Sequence, residues 1–256
     1  MSIAPPPIVM VHGAFCGGWA FENFRKPFEA AGHTVLTPDL RGRGPNDGSE
    51  SVVGVSMTDY ARDIAELCAA QTQPAILIGH SLGGLVAALA ARKTRLRAVV
   101  LLAPSAPWGV ASSSMEEAVT AFGLHMLGPF WAQGVAPDRS LMRHYSLDRM
   151  SKEDQEAAVA RLRPESGRAL WEALNWWLDP FMTTSVGVGP LDAPCLVMAG
   201  QRDVVHPPST VRQTATRLGG TYREMPGMSH WLPGEPGWED VAAAALEWLA
   251  EQQAPA

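Results

Sequence analysis

Six short β-rich runs separated by stretches of helical periodicity constrain this chain more than any other feature. The runs are Ile8-Val9-Met10-Val11, His33-Thr34-Val35-Leu36, Ala75 to Ile78, Ala98 to Leu102, Cys195 to Met198 and Thr221 to Glu224. Most lack polar alternation, as expected of strands covered on both faces. Between them lie core-facing helical stripes: Trp19, Phe24 and Phe28; Tyr60, Ile64, Leu67 and Cys68; Leu82, Leu85, Val86 and Leu89. Later stripes are Val211, Ala215 and Leu218, started by Pro207-Pro208 and stopped by Gly219-Gly220, and Trp238, Val241, Ala242, Ala245, Leu246 and Leu249. Strand and helix in alternation specify an α/β fold built on a parallel sheet with crossover helices on both faces.

The alternation breaks between Pro104 and Pro190, where helical patterns follow one another without a recognisable strand. Residues 1–104 and 191–256 are therefore expected to form the core, and 105–190 an inserted all-helical cap. One cap helix carries Met115, Val119, Phe122 and Met126; another begins at Ser151, with Asp154 placed to cap it; a third carries Leu170, Leu174 and Trp177. Five of the nine tryptophans, Trp108, Trp131, Trp171, Trp176 and Trp177, fall in this segment and suggest an apolar pocket beneath it. The residues expected to line that pocket are Phe15, Cys16, Trp108, Phe122, Met126, Trp131, Trp177 and Trp231.

Composition removes several classes of function. A formal net charge of −6 offers no basic surface for nucleic acid, and the cluster Arg92 to Arg97 reads as a solvated helix end. No apolar stretch reaches membrane-spanning length and residues 1–7 do not read as a secretory signal, so a cytoplasmic protein is expected. Cys16, Cys68 and Cys195 are odd in number and scattered, which argues against a disulfide framework or a metal site; no cofactor is implied.

Chemistry enters at Gly79-His80-Ser81-Leu82-Gly83, directly after the third run and directly before a helix. A serine on such a strand-to-helix turn needs small flanking residues, because a Cβ there would strike the neighbouring strand and helix. An ordinary glycine turn would satisfy the same pentapeptide, so the rest of the chain must decide. A serine hydroxyl becomes a nucleophile only beside a base, and that base must be oriented by a third group. On this topology the partners come from loops after later strands, in the order serine, acid, histidine. Asp203 follows the fifth run and His230 the sixth. Other candidates read as structural: His206 as a cap or surface residue before Pro207, His80 as pointing away from Ser81, and His12 and Asp39 as loop braces. The oxyanion donors expected are the backbone N–H groups of Leu82 and of Ala14, the latter in His12-Gly13-Ala14-Phe15-Cys16-Gly17-Gly18. Cys16 has no paired base and is read as lining.

In their order, His12-Gly13, Asp39-Leu40-Arg41-Gly42, Gly79 to Gly83, Gly200 to Asp203 and His230 resemble the α/β-hydrolase superfamily over nearly the whole chain. The stretch Val11 to Trp19 resembles the opening of the plant methylesterase and hydroxynitrile lyase group. The lyases typically carry threonine where Gly13 stands and lysine after the catalytic histidine, where this chain has Trp231. The first run falls at what would be the family's third strand, which predicts a sheet of about six parallel strands against the family's usual eight. The resemblance implies a serine ester hydrolase, and the Trp, Met and Phe residues of the cap point to a small to medium, largely apolar ester. Lactone or carbon–carbon bond hydrolysis and perhydrolysis would use the same triad. A ligand receptor borrowing the fold is the reading from another class.

Overall fold

The computed structural model describes residues 4–44, 47–111, 114–126 and 128–252. The chain runs β1 (Ile8–Val11), α1 (Arg25–Ala30), β2 (Val35–Leu36), α2 (Met57–Ala69), β3 (Ile76–His80), α3 (Leu82–Ala91) and β4 (Ala98–Leu102). It then leaves the sheet for α4 (Met115–Met126), β5 (Gly134–Val135), α5 (Arg139–Leu141), α6 (Lys152–Ala160), β6 (Glu165–Ser166) and α7 (Gly167–Leu174). It returns through β7 (Cys195–Gly200), α8 (Pro208–Leu218), β8 (Thr221–Met225) and α9 (Trp238–Glu251). Six strands pair in parallel in the order β2-β1-β3-β4-β7-β8.

Side chains alternate across a strand, so each apolar run feeds two cores. Val9, Val11, Leu77, Val99, Leu101 and Val197 meet Tyr60, Ile64, Leu85, Val86 and Val211 of α2, α3 and α8 on one face. Ile8, Met10, Ile76, Ile78, Val100 and Met198 meet Phe24, Phe28, Val241, Ala245 and Leu249, from the α1 region and α9, on the other. The helix boundaries follow local chemistry. Ser56 and Asp59 form a reciprocal capping box at the start of α2; Ser151 accepts the Asp154 N–H at the start of α6; Gly219, at φ +64°, ends α8 in the left-handed conformation that glycine adopts without strain.

Two expectations for the 105–190 segment need correction. It is not all-helical, because β5 and β6 form a two-residue antiparallel ladder. Strands this short carry no readable periodicity; Gly134 lets β5 pass close to the core, since a Cβ there would lie 2.1 Å from the Ser49 carbonyl oxygen. Part of the apolar stripe of α4 also faces outward: Phe122 is 67% exposed and Met126 73%, while Val119 borders a cavity and Leu124 is buried. His125 Nε2 lies 3.1 Å from Asn175 Oδ1 and its ring packs on Phe130, so polar and aromatic anchors set the roll of this helix.

The expected solvated end at Arg92 is partly an anchor. Its guanidinium donates to the carbonyls of Val186, Gly189 and Pro190, tying the end of α3 to the chain returning towards β7. The tail expected to fray lies outside the described residues from position 253 onward. Among the described residues, no helix is long and apolar enough to cross a membrane.

Candidate active site

The order of the strands decides where chemistry collects. β2 and β3 flank β1, so the chain reverses its direction of growth there, and loops leaving β1 and β3 open a crevice at their carboxyl ends. Val11 is paired with Gly79, which sets the loop 12–18 beside the turn that carries Ser81. β7 and β8 end at the same edge, with Gly200 paired to Met225, and deliver Asp203 and His230.

Ser81 stands at φ +53°, ψ −124°, a conformation that costs a non-glycine residue on the order of 1–3 kcal/mol. The backbone holds it there: Ser81 N–H donates to the Leu102 carbonyl at 3.0 Å, and the Ser81 carbonyl accepts from Gly84 N–H at 2.8 Å and Ser105 N–H at 3.0 Å. The flanking glycines are required by close approach. A Cβ on Gly79 would lie 2.3 Å from the Gly83 carbonyl oxygen, and one on Gly83 would lie 2.3 Å from the carbonyl oxygens of both Val11 and His12.

Three side chains far apart in sequence meet at hydrogen-bond distance. His230 Nε2 lies 3.0 Å from Ser81 Oγ and His230 Nδ1 2.9 Å from Asp203 Oδ2. Asp203 Oδ1 accepts the N–H groups of Val205 and His206, both at 2.9 Å, which fixes the carboxylate plane. With Nδ1–H donating to Asp203, Nε2 of a neutral imidazole is left to accept the serine proton. His80 packs beside His230; burial, then the neighbouring histidines, drives its pKa well below the ordinary value. Its neutral Nε2–H donates to the His230 carbonyl at 2.9 Å, bracing the relay from below.

Above these groups lies a cavity of about 430 Å³. Ala14, Phe15, Cys16, Leu82 and Trp231 line it, together with Leu124, Val135, Leu141, Met142, Leu170 and Leu174 from the 105–190 segment. Leu82 is the first residue of α3, where backbone N–H groups and the helix dipole favour negative charge. Burial pushes the Cys16 thiol up to about 12, so it is a lining group without thiolate character. Cys68 and Cys195 are likewise buried and unpaired.

Five expected lining residues stand elsewhere. Trp108 packs edge-on against Trp176, Trp177 is exposed beside the same ring, and Trp131 rests on Phe130; Phe122 and Met126 point outward on α4. Among the described residues, aliphatic side chains make most of the wall that tryptophans were expected to make. Several polar lining groups escaped the sequence reading: Asp138, Tyr145 and Ser146 from the 105–190 segment, and Ser105 and His206 from the sheet edge. His206 is buried, not a surface cap; its Nε2 lies 3.0 Å from Ser105 Oγ and its ring centroid 5.0 Å from that of His230. Ser105 stands three residues beyond the end of β4, and that position in the loop at a central strand's carboxyl end was the available signal.

Residues 8–244 match the model of the alpha/beta hydrolase family. The chain belongs to that family. This alpha/beta hydrolase is 40% identical over 77 residues to a pyrethroid hydrolase of Sphingobium wenxiniae, covering 30% of the chain and 27% of that protein. It is 33% identical over 104 residues to methylesterase 7 of Arabidopsis thaliana, covering 39% of the chain and 40% of that protein. The matched stretches thus span well under two thirds of these curated relatives. A solved structure of a thermophilic esterase from Thermogutta terrifontis superposes with a TM-score of 0.73 at 26% identity, covering 98% of the chain and 92% of that chain.

Proposed function

We propose that this chain is a serine carboxylic-ester hydrolase acting on a small to medium, largely apolar ester. The observation that carries the proposal is the Ser81–His230–Asp203 relay, at 3.0 and 2.9 Å, opening into a cavity walled mainly by aliphatic side chains. Esterases among the similar proteins support the same reading.

In the acylation step His230 Nε2 takes the Ser81 proton as Oγ attacks the ester carbonyl. The carbonyl π pair moves to oxygen, and the N–H groups of Leu82 and Ala14 receive the charge. The oxyanion collapses, the ester C–O bond breaks as His230 protonates the departing alcohol, and an acyl-serine remains. His230 then deprotonates a water that attacks the acyl carbonyl, the acyl–Oγ bond breaks, and His230 returns the proton to Ser81 Oγ as the acid leaves. Asp203 stabilises the imidazolium in both half-reactions; the 105–190 segment acts as a cap that shields the acyl-enzyme and sizes the substrate. A receptor for a small apolar ligand would need the cavity but gain nothing from the relay.

The test is an acyl-length and alcohol-size ester series assayed with wild type and Ser81→Ala side by side. Hydrolysis by wild type and none above background by the variant is expected. Wild-type turnover in Ser81→Ala would sink the proposal.

A further inference from the structure

Arg43 lies in the core loop after β2 and Glu165 in β6, 122 residues apart, yet their side chains form an ion pair that is fully buried. Glu165 is saturated by further donors: its Oε1 accepts the Tyr60 hydroxyl at 2.8 Å and the Ser166 N–H at 2.7 Å. Replacing a buried pair of this kind by well-packed apolar residues is often neutral for stability, so joining 105–190 to the core does not by itself require charge. What an apolar pair would not supply is direction.

That direction leads to the loop 12–18. The other arm of the guanidinium, Nη1, donates to the Cys16 carbonyl at 3.0 Å. The preceding carbonyl, of Phe15, accepts the Arg163 N–H at 2.8 Å, a second bond from the same inserted segment. Phe15 itself is held at φ +63°. The Gly13 carbonyl accepts from His12 Nδ1 at 2.9 Å and from Cys16 N–H at 3.3 Å. His12 can donate at Nδ1 while accepting the Leu40 N–H at Nε2, 3.0 Å away, only as a neutral ring. Burial, and after it the charge of Arg43, lowers its pKa to about 3 and keeps it so.

A trans peptide unit is planar, with its C=O and N–H pointing opposite ways. Fixing the Gly13 carbonyl therefore fixes the Ala14 N–H, and Gly13 sits so near the nucleophile that a Cβ there would lie 3.0 Å from Ser81 Cβ. We propose that Arg43 and Glu165 are positioning residues: their buried pair clamps the 105–190 segment onto the loop 12–18 and holds the Ala14 N–H where the oxyanion forms. This rests on the ester-hydrolase reading of Ser81. A catalytic centre displaced by an ångström loses on the order of a hundredfold in rate.

The test is kinetic. Arg43→Met/Glu165→Leu removes both charges and strands neither; with a p-nitrophenyl ester it is expected to keep the wild-type circular dichroism and KM within about twofold, while kcat falls about 10- to 100-fold. A trifluoromethyl alkyl ketone gives an independent readout. Ser81 Oγ bonds to its carbonyl carbon, the π pair becomes an oxyanion, and the serine proton passes to His230, so its affinity should fall by the same factor as kcat. Binding of the matching alkyl alcohol, which forms no oxyanion, should not change. Should the double variant not fold, Arg43→Lys decides, because an ammonium keeps the charge but lacks the planar fork that serves Glu165 and Cys16 together. It should lower kcat and ketone affinity in parallel.

A folded variant with wild-type kcat, or one whose kcat loss is matched by a rise in KM and weaker alcohol binding, would overturn the clamp. Ser81→Ala run in parallel separates the two claims. If it is inactive while the clamp variants match wild type, only the clamp is wrong. If it retains turnover, the hydrolase reading falls first and takes the clamp with it.

Discussion

The loops at the carboxyl edge of the sheet and the 105–190 segment both contribute to one cavity, but they are fixed by different physics. The sheet loops leave strands whose register is locked on both faces by apolar packing, so Ser81, Asp203 and His230 can go to only one edge. The inserted helices have no such register. α4 turns Phe122 and Met126 outward while Val119 borders the cavity, and polar contacts add direction to the segment's seating: Glu165 on Arg43 and Tyr60, Glu172 on Ser56 Oγ and the Met57 N–H, and His125 on Asn175 within it. Strand position is dictated by hydrophobic burial on both faces; the insertion combines narrower apolar contacts, Ala158, Val159 and Leu162 in one core and Ala169 in the other, with a few directional bonds.

The largest effects should come from the sheet edge. Ser81→Ala is expected to lower kcat on the order of 10⁵- to 10⁶-fold, and Asp203→Asn about 10⁴-fold by turning His230 to the wrong tautomer. Steady-state hydrolysis of an activated ester measures both, and an Asp203→Asn enzyme with wild-type kcat would remove the acid from the relay.

A pair of glycine substitutions sets the two regions against each other. Gly83→Ala drives a Cβ within 2.3 Å of two β1-end carbonyl oxygens and should destabilise the fold by about 3 kcal/mol. Gly123→Ala, in α4, meets nothing within 4 Å and should stabilise by up to about 1 kcal/mol through helix propensity. Urea midpoints of the two variants test this; equal losses would mean that the insertion is packed as tightly as the sheet edge.

Glu235 lies where the regions meet. Its carboxyl is raised from 4.5 to about 7, first by burial and further by Asp148 of the insertion and Asp203, against the Ser229 N–H that it accepts. A raised carboxyl pKa means that the native state holds the proton more tightly than the unfolded chain. The resulting stability is complete below about pH 4.5 and is lost as pH rises through about 7. Glu235→Gln should therefore gain on wild type between pH 5 and pH 8, on the order of 1–2 kcal/mol in urea unfolding. A constant difference across that range would remove Glu235 as the titrating group.

The smallest effects should distinguish the wall from the outside of the insertion. Leu174→Ala, on the cavity, should raise KM for longer acyl chains by about 10-fold, roughly the worth of one or two lost methylene contacts. Phe122→Ala and Trp177→Ala, both exposed, should leave KM unchanged and stability within about 0.5 kcal/mol. A KM shift in Phe122→Ala would show that α4 rolls inward around substrate.

Much of the sheet was legible in sequence because each signal was local. Ile8–Val11 and Ala98–Leu102 run from end to end as the β-rich runs predict, and Gly79 and Gly83 announce a close approach that geometry then requires. The insertion was less legible. An apolar stripe at helical spacing says that a helix has two faces, but not which one its neighbours cover; Phe122 and Met126 were expected inside on that ground alone. His206 was hidden for a related reason, since its burial comes from Ser105 and His230, neither adjacent to it in sequence.

The sequence by itself determined the parallel sheet, the serine turn and the order in which acid and histidine arrive, because strand burial and tight turns are written in neighbouring residues. Only the tertiary structure decided which side chains face the cavity and that Arg43 reaches Glu165 and the Cys16 carbonyl together. The Arg43–Glu165 contact joins a loop and a strand 122 positions apart, and the cavity wall depends on how the insertion packs on the core, which no local pattern fixes.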